Sequence, residues 1–288
     1  MDEQLTASLI LFIRQGSWII AIIALMVVDK QARNLDAVLA LWAIAGVLAA
    51  GTAVCKLKSL KITGWALPID WAWVKKGVAI SMAFLLATLA LRGVQTFDRY
   101  WLEALGGIKM VGAYVLLLGV ASTLLTFLDA AVFSFAYPAL IAHNHNGEYP
   151  QARQKVKQMF VQTLLFSALF GMSSWLVLPY FLAWIGNPIY LQATPWYPWL
   201  LAAMTLNALG LVPHYALYAR GIDKPIIYSH LASLPAFAVT VCVCSNVYTV
   251  LAVPIALNVA FGLILVWKTY SYWTLVQQRL SFVLEPKC

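Results

Sequence analysis

The chain has 288 residues, of which 62% are apolar and 10% are charged, and its mean hydropathy is +0.81. An ordinary soluble domain carries about 25% charged residues, so this composition excludes a soluble enzyme, a disordered tail and a fibrous repeat. Long unbroken apolar runs also differ from the alternating strands of a membrane barrel. The sequence therefore predicts an all-α, polytopic membrane protein, because helices satisfy their own backbone hydrogen bonds within a bilayer.

Eight apolar runs are each long enough for a helix that crosses a bilayer, which needs roughly 20 residues. In chain order they cover residues 9–28, 37–54, 77–94 (extending to 97), 111–137, 159–185, 198–218, 226–244 and 250–267. Ser245-Asn246 is the thin break between the last two runs. We therefore expect eight transmembrane helices, which places both chain termini on the same side of the membrane.

The basic residues are distributed unequally between the two sides that this order of helices defines. Thirteen lie on the side of the termini: Lys56, Lys58, Lys61, Lys75, Lys76, Arg153, Lys155, Lys157, Arg220, Lys224, Lys268, Arg279 and Lys287. Four lie on the other side: Lys30, Arg33, Arg99 and Lys109. Because cytoplasmic loops carry an excess of lysine and arginine, the distribution predicts that both termini are cytoplasmic.

A basic stretch rich in tryptophan, 56–76, separates the first two predicted helices from the other six. Trp65, Trp71 and Trp73 lie there among lysines and apolar residues, as at a membrane–water interface. The stretch predicts either an amphipathic helix along the inner interface or an anchored loop, and its residues leave both open. The predicted organisation is a two-helix part at 1–55, this linker, a six-helix lobe at 77–273 and a cytoplasmic tail at 274–288.

Three charged residues, Arg14, Arg92 and Asp129, fall inside predicted helices. A charge at the bilayer centre costs about 2.5–3.5 kcal/mol on insertion scales. Arg14 lies near the inner end of its helix and Arg92 nearer the outer end, so each side chain either reaches the lipid headgroups or faces a cavity. The aspartate side chain is too short to reach the headgroups, which predicts a partner for Asp129 inside the bundle.

A polar patch follows Arg92 at the outer end of the third predicted helix. Guanidinium groups bind phosphate through two parallel hydrogen bonds, so the arginines within the helices predict a cavity that accepts an anion. The candidate substrate-binding residues are Arg14, Arg92, Gln95, Asp98, Arg99 and Asp129. These charges alone do not distinguish a transporter of a phosphate-bearing lipid from a proton-coupled drug pump.

Residues for catalysis, cofactors or metals are not grouped in the sequence. It has no glycine-rich phosphate loop and no acidic cluster, and its four cysteines lack the spacing of a metal site. His143 and His145 are predicted in a solvated loop, whereas His214 and His230 are predicted as packed, hydrogen-bonded side chains. We expect no enzymatic activity, no cofactor, no bound metal and no nucleic-acid partner.

Short motifs between Trp71 and Trp273 follow the order and spacing of those in polysaccharide flippases. They are Asp98-Arg99-Tyr100-Trp101-Leu102, Gly106-Gly107, Val111-Gly112-Ala113-Tyr114, Tyr137-Pro138-Ala139-Leu140, Gly147-Glu148, Ile185-Gly186 with Tyr190 and Ala193, and Ala219-Arg220-Gly221. On these motifs the chain resembles the Wzx-like branch of the multidrug/oligosaccharidyl-lipid/polysaccharide (MOP) exporters.

The resemblance implies a flippase in the bacterial inner membrane that exports a polyprenyl-diphosphate-linked oligosaccharide for O-antigen, capsule or exopolysaccharide synthesis. Arginines within the helices would offset the diphosphate charge, while two lobes rock about a midplane site. Family members have twelve or fourteen helices, so about four helices of the first lobe would be missing here. The resemblance thus implies a truncated chain or half of a split transporter, which needs a missing N-terminal half or polysaccharide polymerase and assembly proteins.

Three other interpretations remain open at the level of sequence. The first is a drug/ion antiporter of the same superfamily, for which Asp129 would be essential and Arg92 dispensable. The second is a drug/metabolite transporter with ten helices. It needs two more helices, and the alternation of basic residues between the two sides of the membrane leaves no room for them. The third is a membrane scaffold that binds partners and transports nothing.

Overall fold

The computed structural model describes residues 2–29, 34–60 and 69–284, with side chains described for 6–29, 34–60 and 69–274. All regular secondary structure of these residues is helical. The α-helices are α1 (Asp2–Phe12), α2 (Trp18–Val28), α3 (Leu35–Ser59), α4 (Trp71–Gly106), α5 (Ile108–Leu128), α6 (Ser134–His145), α7 (Tyr149–Ile185), α8 (Pro188–Gln192), α9 (Tyr197–Tyr218), α10 (Lys224–Tyr248) and α11 (Ala252–Leu284). Turns of π-helix, Ile13–Ser17 and Asp129–Phe133, join α1 to α2 and α5 to α6.

Seven stretches of the described residues are long and apolar enough to cross a membrane. They are Thr6–Val28, Leu35–Ser59, Trp71–Gly106, Ile108–His145, Tyr149–Ile185, Pro188–Tyr218 and Lys224–Thr274. The last has 51 residues and contains α10 and the part of α11 up to Thr274. The chain reverses within it, since His230 contacts Lys268, and these residues are equally far from Thr249 along the chain. This stretch therefore holds the seventh and eighth predicted helices, and the chain is a multi-pass, all-α membrane protein.

The predicted break at Ser245-Asn246 is wrong by about one turn. α10 continues through both residues to Tyr248, and the break falls in a 3₁₀ turn, Thr249–Leu251. A serine does not stop a helix when its hydroxyl bonds within the same helix, and Ser245 Oγ donates to the Cys242 carbonyl at 3.1 Å. The reversal instead uses Thr249, whose φ of 42° takes the backbone out of the helical region.

The predicted linker and tail are partly helical. α3 continues to Ser59 and α4 begins at Trp71, so both ends of the predicted linker 56–76 extend neighbouring helices. Residues 61–68, including Trp65, lie outside the described residues, and the choice between an interfacial helix and a loop stays a prediction there. The backbone of α11 continues to Leu284, through most of the predicted tail.

The chain divides into two compact units, Met1–Trp71 and Ala72–Cys288, at a point within the predicted linker. In the first unit, α1 and α2 run as one long helix that packs against α3. The Asn34 side chain begins α3 by accepting the Ala37 N–H at 2.8 Å. The buried side chains are few, and two of them, Ala45 and Ala49, are small enough for the helix backbones to approach closely.

In the second unit α9 is the central helix, with α5, α7 and α11 packed against it and α10 packed along α11. One apolar cluster includes Tyr114, Tyr197 and Phe261, and a second includes Phe133 and Met159. Most residues of α9 that face these neighbouring helices are buried. The polar side chains of α9 and α11 are thereby held in fixed positions inside the unit.

Candidate functional site

α4 has a buried, mostly apolar face and an exposed polar face. The buried residues recur every three or four positions: Ala87, Ala90, Val94, Asp98 and Leu102. A second set lies on another side and is exposed except for half-buried Gln95: Ser81, Thr88, Arg92, Gln95, Arg99 and Glu103. Exposed Leu85 interrupts this set between Ser81 and Thr88. Such spacings place each set on one side of a helix. We call the second set the polar face of α4.

The polar face of α4 has a length similar to the thickness of a bilayer. At a rise of 1.5 Å per residue, Ser81 and Glu103 are about 33 Å apart, and the hydrocarbon core is about 30 Å thick. Charged side chains in contact with hydrocarbon at this depth cost several kcal/mol each. We therefore expect the polar face of α4 to border water or another polar surface.

Two arginines dominate the polar face of α4. Arg92 Nη1 donates a hydrogen bond to Gln95 Oε1 at 3.0 Å, which holds both side chains on the same face. Neither Arg92 nor Arg99 forms an ion pair within the described part of the chain. Their remaining N–H groups are free to bind an anion, and the two residues lie about 10 Å apart along the helix.

Asp98 lies on the buried face of α4 and has partners of its own. Tyr114 Oη donates to Asp98 Oδ2 at 2.6 Å, and the Arg99 backbone N–H donates to Oδ1 at 2.7 Å. The Asp98 side chain is fully buried, so it joins α4 to α5 rather than adding to the exposed surface around Arg92.

Arg14 and Asp129 do not join this face. Arg14 belongs to the first unit, where it lines an open groove of about 500 Å³ whose other lining residues, such as Ile10 and Trp42, are apolar. Asp129 begins the π-helical turn between α5 and α6 and is exposed. This turn directs Val132 and Phe133 inward instead. Among the described residues Asp129 forms no ion pair, and its interaction with the interior is an electrostatic one with Tyr215 of α9.

A second group of polar side chains, which sequence reasoning missed, lies inside the second unit. Lys268 Nζ of α11 is 3.1 Å from His214 Nδ1 of α9 and 2.9 Å from His230 Nε2 of α10. The Lys268 side chain is only 2% exposed. We call these three residues the basic cluster. The packed, hydrogen-bonded state predicted for both histidines is confirmed.

Aromatic rings surround the basic cluster. The His214 ring stacks on those of Tyr218 and His230, with centroids 6.3 and 6.0 Å away, and meets the Tyr215 ring edge-on at 5.6 Å. Beyond them, Tyr137 of α6 contacts both tyrosines. These contacts bring α6, α9, α10 and α11 together at the end of the unit where α9 ends and α10 begins.

Lys268 was missed because a lysine after an apolar run and a tryptophan is typical of a membrane interface. The signal that places Lys268 inside the helix bundle is its position relative to the turn between α10 and α11. Lys268 and His230 are the same number of residues away from this turn. Two helices of a hairpin bring residues at equal distances from the turn to the same level. A correct position for the turn would have paired Lys268 with His230.

Among the described residues, no three histidine, cysteine, aspartate or glutamate side chains come together in a way that could hold a metal ion. No protein-family model, curated protein or solved structure matches the chain. The sites described above are therefore interpreted from their own geometry and chemistry.

Proposed function

We propose that the protein is a flippase for polyprenyl-diphosphate-linked oligosaccharides, located in a bacterial inner membrane and acting in the synthesis of a surface polysaccharide. The observation that carries this proposal is the polar face of α4, whose length is similar to the thickness of a bilayer. Sugars and phosphates lose their hydrogen bonds to water in hydrocarbon, so a saccharide head needs a polar path of this length. The resemblance in sequence motifs supports the choice of substrate.

The arginines of the polar face suit a diphosphate. A guanidinium is always charged and offers its N–H groups in a planar fork that matches phosphate oxygens. Arg92 and Arg99 are exposed and form no ion pair among the described residues, although the charge of Arg99 also acts on the buried Asp98 carboxylate. A diphosphate passing along α4 would therefore meet two successive positions of positive charge.

An apolar groove on another side of α4 suits the lipid tail of the same substrate. It has a volume of about 500 Å³ and lies between α4 and α10, lined by Phe97, Tyr100, Trp101, Ala104, Leu234 and Ala238. At about 100° per residue, the groove is centred more than 90° around α4 from the polar face. A polyprenyl-linked saccharide has the same division, with a polar head and an apolar chain.

Binding of a fluorescent polyprenyl-diphosphate oligosaccharide to the purified protein in lipid nanodiscs tests the proposal. We expect Arg92→Ala to weaken binding by about tenfold or more, because a hydrogen bond to a charged group contributes about 1.5–3 kcal/mol. Arg92→Lys should retain part of the affinity as a point charge. Arg153→Ala, which removes an exposed arginine from α7, is the matched control and should bind normally.

The same preparation distinguishes the flippase from a drug/ion antiporter. A polyprenol-linked saccharide without the diphosphate should bind weakly and should not respond to Arg92→Ala. Equal binding of the substrate by Arg92→Ala and the unaltered protein would contradict the proposed role of Arg92. Tight binding of cationic drugs that depends on Asp129, without binding of the lipid-linked saccharide, would favour the antiporter.

A further inference from the structure

The basic cluster joins three helices, and among the described residues none of its members forms an ion pair with an acidic side chain. Its members come from α9, α10 and α11, and Lys268 is almost fully buried. The ion pair found among the described residues, His143 with Glu148, does not involve the cluster. A buried cation without a counter-ion is destabilising. A role in stabilising the fold therefore does not explain why a lysine occupies this position.

The geometry allows the basic cluster one positive charge at most. A charged lysine amino group has three N–H bonds and no lone pair, so it can only donate to the two rings, and each ring nitrogen in contact with it must present a lone pair. A charged lysine therefore requires both histidines to be neutral, because a histidinium N–H directed at it would place two cations as close as 2.9 Å. A neutral lysine has two N–H bonds and one lone pair, so it can donate to both rings or accept from one of them.

The titratable side chains around the basic cluster include one carboxylate, that of Asp129, which interacts electrostatically with Tyr215 and forms no ion pair with a member of the cluster. Tyr215 and Tyr218 of α9 contact His214, and Tyr137 of α6 contacts both tyrosines. α4 reaches this group through Phe84, which contacts Tyr218. The nearby cation Arg220 is directed elsewhere, to Asn144 Oδ1 at 3.3 Å and to the Tyr272 ring.

Prolines stand close to the cluster on the helices that carry the histidines. Pro213 directly precedes His214 within α9, and Pro235 follows His230 within α10. A proline inside a helix removes one backbone hydrogen bond and is a common position for bending. In α6, Pro138 lies next to Tyr137 in the same way. The ends of these helices can therefore bend relative to the packed centre of the unit.

We propose that the basic cluster is a proton-binding site that couples the uptake of one proton to the opening of this end of the helix bundle. The proton comes from water and binds the Lys268 amino group, with no other bond made or broken. A cation costs less free energy in water than in a dry interior. The protonated cluster therefore favours an opening that admits water, and the unprotonated cluster favours the packing described above. This proposal does not depend on which substrate the protein moves.

Cysteine accessibility as a function of pH tests the opening. Ser233→Cys introduces a thiol one turn from His230 at a fully buried position, and Ser167→Cys introduces one at a buried position on α7 as the matched control. The native cysteines are first replaced by alanine: Cys55, Cys242, Cys244 and Cys288. The full chain in nanodiscs reacts with a dithiodipyridine, and each rate is divided by that of a cysteine peptide at the same pH.

Lowering the pH from about 8.5 to about 5.5 should raise the normalised rate at position 233 by about tenfold or more, because linkage to one proton changes an equilibrium by up to tenfold per pH unit. The rate at position 167 should not change. Lys268→Met should keep position 233 slow at every pH, and Lys268→Arg should make it fast at every pH. The same pH response in Lys268→Met, or an equal rise at position 167, would overturn the proposal.

Nuclear magnetic resonance of ¹⁵N-histidine gives a test that needs no variant to fold. In the closed packing His214 Nδ1 and His230 Nε2 are hydrogen-bonded to Lys268, so each ring should show one fixed tautomer near pH 8. Fixed tautomers near pH 8, both lost when the protein opens at low pH, would support the site. Ring signals that stay unchanged over the pH range would overturn it.

Discussion

At the scale of single residues, position on the helix decides what each charged side chain of α4 does. Asp98 and Arg99 are neighbours in sequence, yet the aspartate is fully buried against Tyr114 and the arginine is exposed. One residue corresponds to about 100° around a helix, so neighbours of similar polarity reach different surroundings. The predicted polar patch is thus divided between a contact that joins helices and an exposed surface.

The bond between Tyr114 and Asp98 predicts a measurable loss of stability. Tyr114→Phe removes the donor and leaves a buried carboxylate oxygen without that partner, which should lower the free energy of unfolding by about 1.5–3 kcal/mol. Denaturant titration in detergent measures the change. Tyr100→Phe, at a side chain that is 65% exposed, is the control and should change stability by less than about 0.5 kcal/mol. Equal effects of the two substitutions would show that the bond is not stabilising.

At the scale of helices, hydropathy alone predicts most of the fold. Runs of apolar residues mark all of the long helices, because a membrane helix must be apolar over roughly 20 residues whatever its neighbours are. Helix ends are less predictable, since Trp71 and Lys224 begin helices that extend past the apolar runs into interfacial residues. Turn positions depend on backbone geometry that polarity does not encode, as Thr249 shows.

The candidate site was less predictable than the helices for a physical reason. Arg92, Gln95 and Arg99 share a face because they are three and seven residues apart on one helix, which the sequence shows directly. Asp129 and Lys268 depend on tertiary structure: a π-helical turn directs the first outward, and a hairpin buries the second. No local pattern reports either of these effects.

The turn between α10 and α11 predicts a stabilising substitution. Thr249 has φ 42° and ψ −110°, a conformation that turns usually assign to glycine because a Cβ is crowded there. Thr249→Gly should therefore raise the free energy of unfolding by about 1 kcal/mol, as measured by thermal denaturation in detergent. Thr249→Ala keeps the Cβ and serves as the control, with little change expected. If the alanine variant gained as much as the glycine variant, backbone strain would not be the cause.

At the scale of the whole molecule, the order of helices fixes which turns share a side of the membrane. The turns at 146–148 and 219–223 should lie on the cytoplasmic side, where the basic residues concentrate. Gly107, Asn187 and the turn at 249–251 should lie on the opposite side. α10 and α11 then cross the membrane as two helices rather than as one long stretch.

Reporter fusions test this arrangement. Fusions after Glu148 and Asp223 should give a cytoplasmic signal, and fusions after Gly107, Asn187 and Val250 should give a periplasmic signal. The fusion after Val250 is the most informative, because it separates a hairpin of two crossings from one continuous helix. A cytoplasmic signal at Val250 would contradict the hairpin topology in the membrane.

The measurement that tests the central claim most directly is the reaction of cysteines along α4 with a charged, membrane-impermeant thiosulfonate in native membranes. The claim is that the polar face of α4 borders water within the bilayer. Cysteines at Ser81, Thr88 and Gln95 of the polar face should react, and cysteines at the exposed apolar residues Leu86 and Phe97 should not. Failure of the reagent to react at positions 88 and 95, or equal reaction at all five positions, would contradict the claim.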